Sequence, residues 1–183
     1  MDAAERLSHC FGHFERYAWR LEVLDDYSGT DGDDELREFQ RTGRIAPRPP
    51  ENPWRRIVEN ARERGAEIGR TRLVGHPITP YTEYELAAYE DNVAIGEDVR
   101  ILDRQRLDSS WDAAPDVWLF DDRLAFRMVY GERGTWRGVE EIAPAPFVHV
   151  RNVVMPLSVP VREYVRDHTD QPVTITLPAA LAA

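Results

Sequence analysis

The sequence predicts an α/β protein: one domain built on a mixed sheet flanked by helices, with an antiparallel β-meander in its C-terminal part. Three observations carry this prediction. Segments of period-2 alternation are separated by helical segments, two of which open on a cap-then-proline pair, Asn52-Pro53 and Thr79-Pro80. Two apolar runs, 117–120 and 124–130, flank the short polar stretch Asp121-Asp122-Arg123, as in a hairpin. A length of 183 residues with 42% hydrophobic content suits a single core.

Each element follows in order. Residues 5–16 form an amphipathic helix with Leu7, Phe11 and Phe14 on its apolar face. Trp19, Leu21 and Val23 then alternate with Arg20 and Glu22, a strand with Trp19 inward and Arg20 and Glu22 outward. The polar loop 28–34 caps a short helix over 35–42, anchored by Leu36 and Phe39 and stopped at Gly43. Residues 45–51 are Pro-rich and irregular. Asn52-Pro53 opens a helix with Trp54, Ile57, Val58 and Ala61 on one face, and Gly65 ends it. A strand over 68–74 runs into the turn Gly75-His76-Pro77, and Thr79-Pro80 opens a helix reaching about Asn92. Val99, Ile101 and Leu102 mark the next strand, followed by a polar loop over 104–115. The meander then takes 116–122, 124–130 and 135–139. A last helical region over 145–168 is expected to break at Pro156 and Pro160. The domain thus spans 1–168, and 169–183 form a tail with a β-prone stretch at 173–177.

Bulk properties exclude several functions. All 23 basic residues are Arg. Without lysine there is no internal Schiff base and no P-loop lysine. A net charge of −10 disfavours direct nucleic-acid binding. Cys10 is alone, which suits a reducing compartment, and no apolar run approaches the length of a membrane span. With no apolar leader among the first residues, a cytoplasmic protein without membrane attachment is expected. No cofactor motif is found: the chain lacks GxGxxG, GxSxG, Walker A and CxxC patterns.

The most chemically loaded segment is 77–85. Tyr81 and Glu85 are four apart and share a helix face, beside a strand carrying Arg70 and Arg72. Read as a site, Arg72, Tyr81 and Glu85 bind an anion. Read as structure, they form a capped amphipathic helix. Arg20 and Glu22 are placed to form an ion pair with Arg72 or Glu85 across neighbouring strands. His76, in a strand-to-helix turn, is either an acid/base group or a turn-stabilising side chain. Asp121 and Asp122 resemble an acidic metal pair, but hairpin turns use Asp in the same way. His9 and His13 have metal-compatible spacing without a supporting motif, so no metal site is assigned.

Taken together, Trp19-Arg20-Leu21-Glu22, Arg70-Thr71-Arg72-Leu73-Val74 leading to Pro77 and 81–85, Gly96-Glu97, and the run 116–122 resemble an actinobacterial family of unknown function. The resemblance covers roughly 11–140. It implies a regulatory setting, because members are often encoded beside helix-turn-helix regulators and small partner proteins. More remotely, the order of elements is similar to a phospholipase-D-like fold, but the His-x-Lys motif of that chemistry is absent.

Two functions follow. The first is a non-enzymatic regulatory or interaction module acting with a helix-turn-helix transcriptional regulator. The alternative is a small enzyme or ligand-binding protein that recognises an anionic small molecule. Its pocket would lie at the strand ends carrying Arg20, Arg72 and Asp121, walled by Tyr81 and Glu85, with Glu85 or His76 moving protons. Five Trp and seven Tyr are also compatible with a homodimer.

Overall fold

In the computed structural model, residues 1–29, 33–108, 111 and 113–169 are described, without the side chains of residues 33, 168 and 169. The order of elements is α1 (Ala3–His13), β1 (Tyr17–Glu22), α2 (Asp33–Thr42), α3 (Pro53–Glu63), β2 (Glu67–Val74), α4 (Pro80–Ala94) and β3 (Asp98–Asp103). It continues with β4 (Val117–Phe120), β5 (Leu124–Tyr130), β6 (Trp136–Ile142), α5 (Ala145–Leu157), β7 (Val159–Pro160) and α6 (Val161–Thr169). One seven-stranded mixed sheet runs β6-β5-β4-β1-β2-β3-β7. β1, β2 and β3 are parallel, and β4, β5 and β6 form the antiparallel meander beside β1. No helix among the described residues is long and apolar enough to cross a membrane.

Both cap-then-proline signals act as the sequence indicates. The Asn52 side chain accepts from the backbone N–H groups of Trp54 and Arg55, and Thr79 accepts from Thr82. At the far end of α4, Gly96 takes φ +100, a conformation that glycine adopts freely.

The C-terminal helical region differs from expectation. Pro156 does not break it: the proline lies inside α5, one residue from its end, where the helix continues to Leu157. The chain turns at Ser158 and pairs Val159 and Pro160 with Ile101 and Arg100, forming the short edge strand β7. A two-residue strand is too short for periodicity to reveal, and proline is tolerated at an edge. The β-prone stretch 173–177 lies outside the described residues.

The sheet has apolar cores on both faces. On one face Trp19, Leu21, Leu73, Leu102, Val117 and Leu119 pack under Val154 of α5. On the other, Ala18, Ile68, Trp118 and Phe120 pack under α1 and α3. Further along that second face, Val74, Val99 and Ile101 meet Leu86 and Tyr89 of α4 and Val161 and Tyr164 of α6. Two apolar clusters thus share one face, and α2 packs outside α4 through Phe39 against Tyr84. The gap between those clusters is filled by charge.

Candidate functional site

Strand alternation decides which side chains fill that gap. Ala18, Arg20 and Glu22 point one way from β1, and Ile68, Arg70, Arg72 and Val74 point the same way from β2. Their register aligns Arg20 with Arg70 and Glu22 with Arg72. Four charged residues therefore meet between the middle and the carboxyl ends of two parallel strands. In open α/β sheets the carboxyl end is where ligands bind.

Arg20 and Glu22 are not outward, as their alternation with Trp19 and Leu21 suggests. Glu22 is buried, and the Arg20 side chain is only 11% exposed. α3 and α4 cover this face, so the polar side of the β1 pattern is an interior side.

The layer is knit by ion pairs. Glu22 Oε1 lies 2.9 Å from Arg20 Nε and accepts from Arg70 Nη1 at 3.0 Å, while its Oε2 accepts from the Tyr89 hydroxyl at 2.7 Å. Burial pushes the Glu22 carboxyl up, but Arg70, Arg20 and Arg72 together bring it down to about 2. Glu97 accepts from Arg70 Nε (2.5 Å), Trp54 Nε1 (2.7 Å) and Asn92 Nδ2 (2.6 Å). Asp116 accepts from the Tyr27 hydroxyl (2.5 Å) and from Arg20 Nη2 (3.4 Å), which also reaches the Tyr130 hydroxyl (2.8 Å).

Arg72 is the most enclosed member, at 0% exposure. Its Nη2 lies 2.7 Å from Glu85 Oε2, and its guanidinium stacks over Tyr27 at 4.9 Å. The contact with Glu85 is a close charge pair without hydrogen-bond alignment, and none of the three guanidinium nitrogens makes an aligned hydrogen bond among the described residues. Burial dominates at Glu85. Despite Arg72, and with Glu22 adding repulsion, its carboxyl is raised to about 7. A carbon-detected NMR titration is expected to find the Glu85 side chain ionising near neutrality. A midpoint at the ordinary value of ~4.3 would mean that water reaches the pair.

The six sequence-predicted site residues separate into three groups. Arg20, Arg72, Tyr81 and Glu85 share this layer: Tyr81 stands one turn before Glu85 on α4, and its ring centroid lies 6.1 Å from that of Tyr27. His76 lies past the end of β2, where its Nε2 is 3.0 Å from Asp103 Oδ2 at the end of β3. Asp121 is at the opposite end of the sheet. It stands beside Tyr17, the first residue of β1, whereas Arg72 pairs with Glu22, the last. Five strand residues separate those levels, roughly 17 Å, so one pocket cannot hold Asp121 and Arg72 together.

Asp121 has a structural task instead. At φ 51 in the β4–β5 turn, its carboxylate accepts from the backbone N–H groups of Glu15 (2.8 Å), Arg16 (2.8 Å) and Tyr17 (3.0 Å). Burial pushes this carboxyl up, and the three N–H donors outweigh that and hold it below its usual value. Among the described residues no group of three or more His, Cys, Asp or Glu side chains is arranged to hold a metal. His9 and His13 stack at 3.8 Å, with His13 Nδ1 2.8 Å from the His9 carbonyl.

Sequence reasoning passed over the accessible part of the site. Beside Arg70 a cleft of about 540 Å³ opens, lined by Pro47, Arg48, Pro49, Trp54, Arg70 and Asn92 among others. Arg70 uses Nε on Glu97 and Nη1 on Glu22, while its Nη2 has no acceptor among the described residues. Arg48 donates through Nη1 to Asn92 Oδ1 at 2.7 Å and makes no ion pair among the described residues. Arg48 sits in the irregular Pro-rich segment, where no periodicity marks a functional side chain. Glu97 and Asp116 each stand alone just outside or at the start of a strand, so no pattern marks them either.

Fold and site together define a single-domain α/β protein with a layer of paired arginines and carboxylates under the carboxyl ends of its parallel strands. The chain belongs to the DUF6879 family, a domain of unknown function whose model matches residues 5–166. No curated protein matches it.

Proposed function

We propose that the protein is a binding module that receives an anionic small molecule in the cleft beside Arg70. We propose further that it works in a regulatory setting with a helix-turn-helix transcriptional regulator. One observation carries the binding half: a guanidinium held by two carboxylates keeps one nitrogen without an acceptor among the described residues and lines a cleft of about 540 Å³. That volume is in the usual range for small-molecule sites. The charged groups behind the cleft are committed to one another, which suits a layer that positions and holds. The resemblance to a family encoded beside regulators supports the second half.

The site proposed from sequence shifts by one strand position pair. Arg72 is enclosed, so Arg70 is the residue that meets a ligand, and Arg72, Tyr81 and Glu85 support it from behind.

Native mass spectrometry of freshly purified protein tests the binding half. We expect a retained small molecule that leaves on unfolding and is not retained by the Arg48→Gln variant. A clean apo mass, with no change in melting temperature across a panel of carboxylates and phosphates, would remove this reading. Pairwise two-hybrid assays against helix-turn-helix regulators of the same genome test the other half, and no interacting pair would remove it.

A further inference from the structure

Resting on the reading of the Arg70 cleft as the binding site, we infer that its ligand is a monoanionic carboxylate with an apolar body, and not a phosphate dianion. Arg70 lies between Glu22 and Glu97, so its positive charge is already matched. Glu35, at the rim, is held by the Tyr84 hydroxyl at 2.7 Å. The one cation of the cleft without a carboxylate partner among the described residues is Arg48. A neutral hydroxyl leaves the charge of Glu35 in place, so the cleft offers one arginine free of carboxylate contact but no excess of positive charge. A dianion brings a second negative charge towards Glu22, Glu35 and Glu97, with nothing left to balance it.

Hydrogen-bond capacity agrees. The side-chain donors left over among the described residues are Arg70 Nη2, the remaining nitrogens of Arg48 and Asn52 Nδ2. The two guanidinium groups are linked by one chain: Arg48 to Asn92, Asn92 to Glu97, and Glu97 to Arg70. Two oxygens of a carboxylate can take one donor from each. Phosphate sites commonly add free N–H groups at a helix N-terminus. Here α3 begins at the cleft, but Asn52 already accepts from Trp54 N and Arg55 N at 2.9 and 3.3 Å.

The remaining walls are apolar. Ala46, Pro47 and Pro49 offer hydrocarbon, and Trp54 has its one donor taken by Glu97, which leaves carbon surface. Such walls suit the body of an aromatic or aliphatic acid better than a polyol or sugar.

The test uses three ring compounds of one size, benzoate, benzamide and phenyl phosphate, titrated calorimetrically into the intact protein at about pH 7.5, where phenyl phosphate is largely dianionic. Benzoate is expected to bind roughly tenfold or more tighter than either of the others. Arg48→Gln, a half-exposed position, is expected to weaken benzoate by a similar factor while the melting temperature stays unchanged. If phenyl phosphate binds tighter than benzoate and is equally sensitive to Arg48→Gln, the ligand class is wrong and the cleft reading stands. If an anion binds but is indifferent to both Arg48→Gln and a folded Arg70→Gln variant, the site is elsewhere and the cleft reading falls. No binding of benzoate up to about 10 mM, a free energy of association weaker than about −3 kcal/mol, overturns the carboxylate assignment.

Discussion

Replacing Arg72 with alanine is expected to cost about 3 to 5 kcal/mol of folding stability, the largest effect anticipated for a single change in the polar layer. The guanidinium is fully buried, lies 2.7 Å from Glu85 and stacks over Tyr27. Its removal leaves a buried acid without a cation and a cavity several methylene groups deep. Glu85 softens the loss by staying protonated, since its carboxyl already ionises only at about 7. That same shift works against the native state as pH rises. A carboxyl with a raised folded pKa binds its proton more tightly when folded, so its contribution declines from ~4.3 up to about 7 and is constant above that. In Arg72→Ala the decline keeps its one-proton slope and should extend above pH 7. Urea unfolding at pH 5 and pH 8 measures both effects. The pair can also be replaced together: Arg72→Met with Glu85→Leu is expected to recover most of the loss, as buried ion pairs often tolerate apolar substitution of similar volume. Wild-type urea midpoints for Arg72→Ala alone would show that the pair contributes nothing to the fold.

Asp121→Ala is expected to destabilise by about 3 kcal/mol or more, without touching the cleft. Three backbone N–H groups lose a charged acceptor, each such bond being worth about 1.5 kcal/mol or more. Alanine must also adopt φ 51, at a cost of roughly 1 kcal/mol. Asp121→Asn keeps one acceptor oxygen and tolerates that conformation, so it should lose about half as much. The sign of the pH dependence is set by the lowered carboxyl. Its contribution is complete above the unfolded value of ~3.9 and is lost as pH falls through the folded one. Acid unfolding of Asp121→Asn should therefore be shallower than that of the wild type below about pH 4. Ligand binding in either variant should match the wild type while the protein is folded. Loss of binding from a folded Asp121→Asn would return this residue to the site.

These two residues also show what could be read from the sequence. The elements were legible because caps, prolines and alternation are local signals: Asn52-Pro53, Thr79-Pro80 and the 117–130 hairpin all form as expected. Burial of the charges was legible in principle. β1 carries Ala18 on the side of Arg20 and Trp19 and Leu21 on the other, and β2 flanks Arg70 and Arg72 with Ile68 and Val74. A strand apolar on both faces belongs inside an α/β sheet, so charges within it are interior charges. Which acids meet them was not legible. Glu97 and Asp116 reach the layer from β3 and β4 only through sheet order, and strand order is not a local property. Asp121 misled for a related reason. It directly follows a central strand, but that strand is antiparallel to β1, so its end adjoins the start of β1.

The sheet order has a consequence for how the chain is made. The three parallel strands are complete once Asp103 has been synthesised, yet neither of their outer edges is closed by then. β1 waits for 117–120 and β3 waits for Val159 and Pro160, so later segments clasp the first three strands from both sides. A nascent chain that pauses between these points exposes two rows of unsatisfied backbone groups, the geometry that invites pairing with another chain. Synthesis of β4 and β7, and not emergence of the first three strands, is what covers both edges of the parallel core.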